Sequence, residues 1–395
     1  MLLMLASLFA SRAGLSIGII FFAAATLLHR NFLQQLKSFI THPLPAGISL
    51  LFFIPFISGL WSTNLEEWGD IIRIKLPLLI LPLAFAGNWQ LQQKQWKILA
   101  LVFIFLIFAG TCWSIAQYLA DTKAVNAAYL KAKSIPSPLE NDHIRFSWLV
   151  TAAILCGMML TSMKGNRRLK ILLWVLNAWF VVYLHILSAR TGLLCLYIIL
   201  LFYVLWQAWK NRGSVKMWIA LAALFLLPFL AWLLLPTFQN RLRYIRYDFS
   251  YARSGSYLPG ANDGSRLLSI RAGWDGLKEQ PWGTGAGDVF DEANRWYDVH
   301  VPQMLPGDRL YPSSEWLIYG RTAGWPGVLL FTALMLLPFF HAPTRYCFYW
   351  MALNAIAAAS FIFDIGLEVQ FGVFIYAFTV LWWWKWLNLN PSSES

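Results

Sequence analysis

Charge is scarce in this 395-residue sequence: only 13% of its residues are charged, whereas a soluble domain carries about 25%. Hydrophobic residues reach 58%, which is more than a soluble core can absorb but suits a lipid bilayer. The four cysteines have no paired or metal-ligand spacing, so the sequence predicts neither a disulfide framework nor a zinc site. Composition therefore indicates an integral membrane protein.

Cofactor motifs are missing as well. The glycine-rich segment 283–287 follows Pro281-Trp282, but no buried strand precedes it and no Gly-Lys-Ser/Thr follows, which excludes Rossmann and P-loop fingerprints. We interpret this segment as a tight turn that ends a helix. The net charge of +12 fits the positive-inside rule and anionic headgroups better than nucleic acid. We therefore predict membrane lipids as partners, and no metal, cofactor or nucleic acid.

What the sequence has instead is a series of long apolar runs. About 20 apolar residues cross the hydrocarbon core as a helix, and about eleven segments approach that length, with residues 1–11 as the candidate for a twelfth. The segments are 14–29, 43–61, 74–88, 98–119, 144–162, 171–188, 191–208, 217–235, 317–339, 346–363 and 366–386. We predict an all-α membrane protein with an N-terminal transmembrane bundle (1–235), a large polar loop (236–316) and C-terminal transmembrane helices (317–395).

Positive charge orients these spans, because short cytoplasmic loops are rich in Lys and Arg. Four loops carry such charge: Arg30 with Lys37, Lys94 with Lys97, Lys164 with Arg167, Arg168 and Lys170, and Lys210 with Arg212 and Lys216. Alternation then assigns five segments to the other side: 62–73, 120–143, the turn at Arg190, 236–316 and the turn at Asp364. We predict that this side faces the periplasm or the cell exterior.

The polar loop 236–316 is basic in its first part and acidic in its second. A structureless loop of this length is improbable in a compact protein unless it is functional or disordered. Within it, 265–279 has the pattern of a short helix. Its apolar residues share one face: Leu267, Ile270, Trp274 and Leu277. We expect that face to pack on the bundle or to lie in the membrane interface.

Several arginines on the predicted outer side are candidates for binding an anion. Arg190 lies between two spans, where charge is costly and therefore indicates function, although an arginine at a helix end also reaches headgroups. Arg266 and Arg271 offer planar forks that match phosphate oxygens, while a solvated pair with Asp275 is the alternative for Arg271. Three further arginines at a span end are assigned to headgroup anchoring: Arg241, Arg243 and Arg246.

Histidines are few, and no pair of them has metal-ligand spacing. Only His143 and His300 fall in predicted outer loops, while His185 approaches that face from within a span. A lone histidine is more often structural than catalytic. Asp364 and Glu368, one turn apart near a span end, indicate either a polar site in the bundle or an interfacial cap.

Short motifs follow one another around the predicted outer loop: Ser188-Ala-Arg-Thr-Gly192, Ser265-Arg266 to Trp274, Pro281-Trp-Gly-Thr-Gly-Ala-Gly287, Ser313-Ser-Glu-Trp-Leu317 and Gly324-Trp-Pro-Gly327, with Trp61-Ser-Thr-Asn64 and Arg73 earlier. Their order and spacing over roughly 145–340 resemble the O-antigen ligase and polymerase superfamily. Each motif alone is weak, whereas the set is moderately specific.

The resemblance implies a fold similar to lipid-dependent glycosyltransferases, in the bacterial inner membrane with the active face in the periplasm. It implies transfer of a glycan from undecaprenyl pyrophosphate to an acceptor, which is lipid A–core in ligases and another lipid-linked repeat in polymerases. It also implies pyrophosphate contacts for Arg190, Arg266 and Arg271. Arg73 and His143 are accessory candidates.

One departure from the family pattern concerns the catalytic base. The family commonly has His-Asn where this sequence has Ser313-Ser314, so the proton acceptor must come from elsewhere. His300 is one candidate, because imidazole titrates near neutral pH. Glu315 is the other, since partial desolvation at a span mouth improves a carboxylate as a base.

Three functions remain open on the sequence alone. A ligase-like glycosyltransferase fits the outer arginines best, with a repeat-unit polymerase of the same superfamily as its alternative. A lipid-glycan transporter would carry ionisable residues in mid-span, where this sequence has almost none. A non-catalytic membrane scaffold is the third, because serine replaces the usual histidine at 313.

Overall fold

A computed structural model describes residues 1–28, 32–131, 133–210, 214–253, 259–260, 263–341 and 347–388. Most of the residues in these ranges are α-helical, with short 3₁₀ turns at Ala286–Asp288, Pro306–Asp308 and Gly366–Glu368 and no β-strand. The prediction of an all-α integral membrane protein is therefore confirmed.

The first nine helices lead from the N-terminus to the middle of the bundle. They are α1 (Leu2–Ala10), α2 (Arg12–Leu27), α3 (Phe32–Thr41), α4 (Pro43–Ser58), α5 (Leu65–Lys75), α6 (Pro77–Phe85), α7 (Gln93–Ala120), α8 (Thr122–Tyr129) and α9 (His143–Ser162). The remaining helices include the polar segment and the C-terminal spans. They are α10 (Arg167–Leu187), α11 (Arg190–Lys210), α12 (Val215–Leu234), α13 (Pro236–Arg253), α14 (Asp263–Glu279), α15 (Val289–His300), α16 (Glu315–Phe340), α17 (Cys347–Ile362) and α18 (Gln370–Leu387).

Six of the described helices are long and apolar enough to cross a membrane: α7, α9, α10, α11, α12 and α16. Two shorter apolar helices are α4 and α17, and the pair α2 and α3 bends by 108°. The predicted span 74–88 is not one helix, because α5 ends at Lys75 and Pro77 starts the nine-residue α6. Nine residues rise only about 14 Å, roughly half of the hydrocarbon core.

The five segments predicted to share one side meet at one end of the bundle, which we call the polar-loop end. Cross-links between them are Thr63–Asp288, Tyr129–Leu187, Arg190–Asp263 and Arg266–Phe363. Their common location agrees with the alternation deduced from the basic loops. Two of the basic residues used in that deduction, Arg30 and Arg212, lie outside the described residues.

The glycine segment after α14 forms a turn, as predicted, and packs into a break in α16. Gly283 and Gly324 both have positive φ, +83° and +68°, and a Cβ on either would collide with the other's segment. The Thr284 N–H donates to the Arg321 carbonyl (2.7 Å) and the Trp325 N–H to the Pro281 carbonyl (2.9 Å). These bonds satisfy backbone groups that the break would otherwise leave unpaired.

The loop after α4 is joined to the same turn by Asp288. Its carboxylate accepts hydrogen bonds from the Thr63 N–H (2.7 Å), the Thr63 hydroxyl and the Asn64 N–H (3.0 Å). A second link runs from the Trp61 indole N–H to the Thr322 carbonyl (3.3 Å). The early outer loop therefore braces the polar segment against α16.

Helix α14 packs on the bundle by its small residues and not by most of the apolar face, for which the sequence left open packing on the bundle or lying in the membrane interface. Its buried residues are mostly small: Ser265, Ser269, Ala272, Gly273 and Gly276, with Asp263 and Leu277. A Cβ on Gly273 would meet Pro312 and one on Gly276 would meet the Arg321 guanidinium. Of the predicted apolar face only Leu277 is buried, while Leu267 and Trp274 are exposed. The small residues allow the backbone of α14 to approach its neighbours closely, and this close packing, more than the apolar stripe, decides which face of the helix contacts the bundle.

Candidate active site

Arg190 begins α11 directly after a strained turn. Ser188 has a φ of +49°, a left-handed conformation that costs a residue with a side chain roughly 1–2 kcal/mol. The Arg190 guanidinium forms an ion pair with Asp263, the buried first residue of α14, and yet its side chain stays 41% exposed. The turn therefore presents a cation that is held in place on one side and open on the other.

Arg266 lies on the first turn of α14 and points towards the segment between α17 and α18. Its Nη1 donates to the Phe363 carbonyl (3.1 Å). Burial lowers the pKa of Arg266, whereas the carboxylate of Asp364 acts in the opposite direction. The charge of Arg266 also acts on Arg190. Two of the three arginines predicted to bind pyrophosphate are therefore within electrostatic range of each other.

Arg145, near the start of α9, was not among the predicted site residues. Its Nη2 lies 3.2 Å from Asp364 Oδ2 and donates to the Ile365 carbonyl (3.1 Å), and its charge interacts with that of Arg266. Nothing in the local sequence around Arg145 distinguishes it from a residue at a helix end. Only the packing of α9 beside α17 brings it to the site.

Arg241 was assigned to headgroup anchoring, and this assignment is wrong. The side chain is buried; it donates to the Lys133 carbonyl (3.1 Å) and covers the Tyr129 ring at 4.9 Å. Its charge acts on Arg190. We call Arg145, Arg190, Arg241 and Arg266 the arginine cluster.

His143 lies beside the arginine cluster, at the end of an unusual loop. Leu139, Glu140 and Asn141 have φ values of 63°, 57° and 67°, and three successive left-handed residues are rare outside glycine. The His143 backbone N–H donates to the Asn141 carbonyl (2.8 Å), and the ring lies in the electrostatic field of Arg241 and Arg266. In the part of the chain that is described, the positive-φ residues other than glycine are these three and Ser188. Backbone strain of this kind concentrates at functional sites.

Carboxylates balance the cluster in the absence of a substrate. They are Asp142, Asp248, Asp263 and Asp364. Burial raises the pKa of Asp364, while Arg145 and Arg266 oppose that rise. Because Arg190 is bound by a single carboxylate and remains partly exposed, an incoming dianion can take it over with little rearrangement.

A cleft of about 360 Å³, counting its open mouth, starts at the cluster and runs between α9, α11, α17 and α18. Arg145, Thr191 and Asp364 lie along its polar part. The rest of its wall is mostly apolar and includes Trp148 and Phe361. The cleft is therefore amphipathic, with the charged side chains of Arg145 and Asp364 in one part and an apolar wall beyond.

The segment between α17 and α18 is fixed from below by a buried triad of charges. Lys75 Nζ donates to the Leu367 carbonyl (3.0 Å) and pairs with Glu368, and the Leu367 N–H donates to Glu315 Oε1. Asp364 and Glu368, predicted to form either a polar site in the bundle or an interfacial cap, belong to separate ion pairs. The triad holds both backbone groups of Leu367 and so positions the segment that Arg145 and Arg266 contact.

Neither candidate base contacts the arginine cluster in the described structure. His300 is exposed at the end of α15, where its ring stacks on Trp296 at 4.4 Å and Nδ1 lies 3.0 Å from the Trp296 carbonyl. Glu315 is fully buried under the Leu367 backbone. Sequence position placed both near the outer loop, but helix orientation turns them away.

Arg271 and Arg73 are also away from the cluster. Five positions along an α-helix amount to about 140° of rotation. Arg271 therefore projects from a different side of α14 than Arg266. It is 70% exposed and lies 3.8 Å from Asp275, while Lys278 is the main cause of a lowered pKa for Asp275. Arg73 is 80% exposed and pairs with Asp70.

The Ser313-Ser314 pair, which replaces the family's usual His-Asn, is buried beside α14. The Ser313 N–H donates to Ser269 Oγ (3.1 Å), and the two hydroxyl oxygens are 2.8 Å apart. Ser269 in turn donates to the Arg266 carbonyl. The position is therefore next to the cluster even though its side chain is not a base.

Taken together, these features define a multi-pass membrane protein with a guanidinium-rich site at the polar-loop end of its helices. A comparison with known families matches part of the chain. Residues 175–332 match the model of the O-antigen ligase family, which supports the resemblance to the O-antigen ligase superfamily seen in the motifs. The matched region holds Arg190, Arg241, Arg266 and Ser313, but not His143 or Arg145.

The match supports a function of the O-antigen ligase or polymerase type in general, and it implies a lipid-linked glycan and a glycan acceptor as the classes of substrate. No curated protein matches the chain significantly.

Proposed function

We propose that the protein transfers a glycan from undecaprenyl pyrophosphate to an acceptor on the periplasmic face of the bacterial inner membrane, as an O-antigen ligase. The observation that carries this proposal is the arginine cluster, in which Arg190, Arg241 and Arg266 interact electrostatically and Arg145 lines a cleft with an apolar wall. Guanidinium forks match the oxygens of a diphosphate, and the apolar wall suits the hydrocarbon that follows it.

The chemistry needs cations more than it needs a nucleotide-binding fold. The bond between the sugar C1 and the diphosphate oxygen breaks as an acceptor hydroxyl oxygen bonds to C1, and undecaprenyl diphosphate leaves. Negative charge grows on the leaving diphosphate, and cations fixed in advance stabilise that charge. Arg190 is the cation most ready to exchange, since Asp263 holds it from one side only.

The acceptor hydroxyl must also lose a proton. Of the histidines in the described residues, His143 lies in the field of the cluster, and a neutral imidazole has one ring nitrogen that can accept a proton. We propose His143 as the base in place of the missing histidine at 313, ahead of His300 and Glu315. Its strained loop supports this choice, because strain at 139–141 fixes where the ring lies.

Deletion of the gene with profiling of the cell's glycolipids tests the function. Loss of glycan from lipid A–core would support a ligase. Chains reduced to a single repeat would instead support the polymerase alternative. An unchanged profile would contradict both and favour a non-catalytic scaffold or a transporter.

The base is tested by three matched substitutions: His143→Gln, His300→Gln and Glu315→Gln. Loss of a general base typically lowers the rate about 10²–10⁴-fold, and we expect this for His143→Gln only, at unchanged protein level. Wild-type transfer by His143→Gln, together with loss in His300→Gln, would return the role to His300.

A further inference from the structure

A second basic surface lies on the opposite side of α13 from Arg241. It is a groove with about 1130 Å³ of space, counting its open mouth. The groove is lined by Trp232, Leu233, Gln239, Leu242, Arg243 and Arg246. Residues 239, 242, 243 and 246 follow the i, i+3, i+4, i+7 spacing that puts them on one face of a helix. Helix α13 thus separates the arginine cluster from this groove.

The two arginines of the groove are exposed cations without an acidic partner in the described structure. Arg243 and Arg246 form none of the ion pairs found in the described ranges. Asp248 is the only acidic residue in the sequence of α13. Its carboxylate faces away, accepting from the Tyr244 hydroxyl (3.0 Å) and the Asp263 N–H (2.7 Å). Two unpaired guanidiniums one turn apart can reach the same phosphate.

The groove also lies at a definite depth. Helix α12 is apolar and little of it is buried in the protein, so it faces lipid, with Phe225 and Leu234 among its exposed residues. It ends at Leu234, beside the groove, where Gln239 Nε2 donates to the Trp232 carbonyl (2.8 Å). The end of an apolar span marks the boundary between hydrocarbon and headgroups, and a tryptophan there is typical of that boundary.

We infer that this groove binds an anionic membrane phospholipid, with its phosphate on Arg243 and Arg246 and its acyl chains along Trp232 and Leu233. Charge complementarity selects the headgroup, because a zwitterionic lipid brings no net charge to balance two cations. The position at the boundary fixes the ligand as a component of the leaflet rather than free phosphate. The inference does not depend on glycan transfer.

Retention of phosphatidylglycerol by the purified full chain, measured by native mass spectrometry against phosphatidylcholine, tests the site. Each basic side chain near an anionic membrane surface contributes to the free energy of binding. We therefore expect Arg243→Gln and Arg246→Gln each to weaken phosphatidylglycerol binding about five-fold, and the double variant to weaken it about 25-fold. Binding of phosphatidylcholine should not change. The matched control is Arg167→Gln with Arg168→Gln, two exposed arginines at the start of α10.

The inference fails if the double variant binds phosphatidylglycerol like the wild type. It also fails if the Arg167 and Arg168 control loses as much, or if phosphatidylcholine binding falls in parallel. Thermal unfolding of each variant in detergent checks that the fold is intact. The arginine-to-lysine pair Arg243→Lys and Arg246→Lys should keep most of the affinity, since charge rather than the fork dominates at an exposed surface.

Discussion

Basic residues at the two ends of the bundle are held in contrasting ways. At the polar-loop end, Arg241 is buried against Tyr129 and Arg145 is bound by Asp364. At the other end, Arg167 and Arg168 open α10 exposed to solvent, with no acidic partner in the described ranges. Taking a guanidinium out of water costs several kcal/mol unless partners replace the water. Charge that only orients a span has no need of such partners, so the buried cluster indicates chemistry.

The orientation of the bundle in the membrane is the prediction with the largest expected effect. A reversed orientation would exchange the compartments that the two ends face. Reporter fusions after Gly165 and after Gly260 are suitable, because a side chain at either position meets no neighbour. We expect the first to report the cytoplasm and the second the periplasm, in an all-or-none manner. The opposite pattern would put the arginine cluster in the wrong compartment for a periplasmic transferase.

Substitution of single arginines compares the ends directly. Arg190→Gln and Arg266→Gln should each lower glycan transfer about 100-fold or more, because one fixed donor to a developing anion is typically worth that much. Lysine should not restore the rate, since it lacks the fork. Arg168→Gln is the control and should leave transfer unchanged, with protein amounts compared by immunoblotting. Normal transfer in both cluster variants would exclude the site.

The triad under Leu367 predicts an effect on stability rather than on diphosphate binding. Lys75→Met leaves Glu315 and Glu368 buried without their cation. Removal of one partner from a buried pair costs about 3–5 kcal/mol, which thermal unfolding in detergent would detect. The double variant Lys75→Met with Glu368→Gln should recover part of the loss. If Lys75→Met unfolded at the same temperature as the wild type, the structural role of the triad would be contradicted.

Patterns within single segments predicted the fold well. Apolar length and turn signals located most helices, and the basic loops predicted which segments meet at one end. The sequence also pointed to Arg190, because charge beside a span is conspicuous, and to Arg266, because its motif resembles that of the family. Residues recruited by packing were missed: Arg145 depends on α9 lying beside α17, and Arg241 depends on which side of α13 faces inward.

Packing also decides which face of α14 meets the bundle. Periodicity identified the apolar stripe of this helix, but Gly273 and Gly276 let another face approach Pro312 and Arg321. The helix places Arg266 and Arg271 on different sides of α14. The spacing of the motif alone does not tell which of the two arginines faces the cluster. The left-handed residues at 139–141 left no sequence signal either, since glycine is absent there.

Arg271 supplies the smallest expected effect and sharpens the comparison within one helix. Its solvated pair with Asp275 is worth only a few tenths of a kcal/mol. We expect Arg271→Gln to reduce transfer far less than Arg266→Gln, five positions away on the same helix, in the same assay. Equal losses in the two variants would support the role in pyrophosphate binding that the family resemblance implies for Arg271.

Binding of undecaprenyl diphosphate tests the central claim most directly, since it requires neither the acceptor nor the base. The measurement is the equilibrium affinity of purified protein in lipid nanodiscs for the radiolabelled lipid. Wild type should bind it, and the Arg190→Gln with Arg266→Gln variant should bind it about 100-fold more weakly or worse, because two hydrogen-bonding partners of a charged group are lost. The Arg167→Gln with Arg168→Gln variant should match the wild type. Equal affinity in all three proteins would contradict the assignment of the arginine cluster as the diphosphate site.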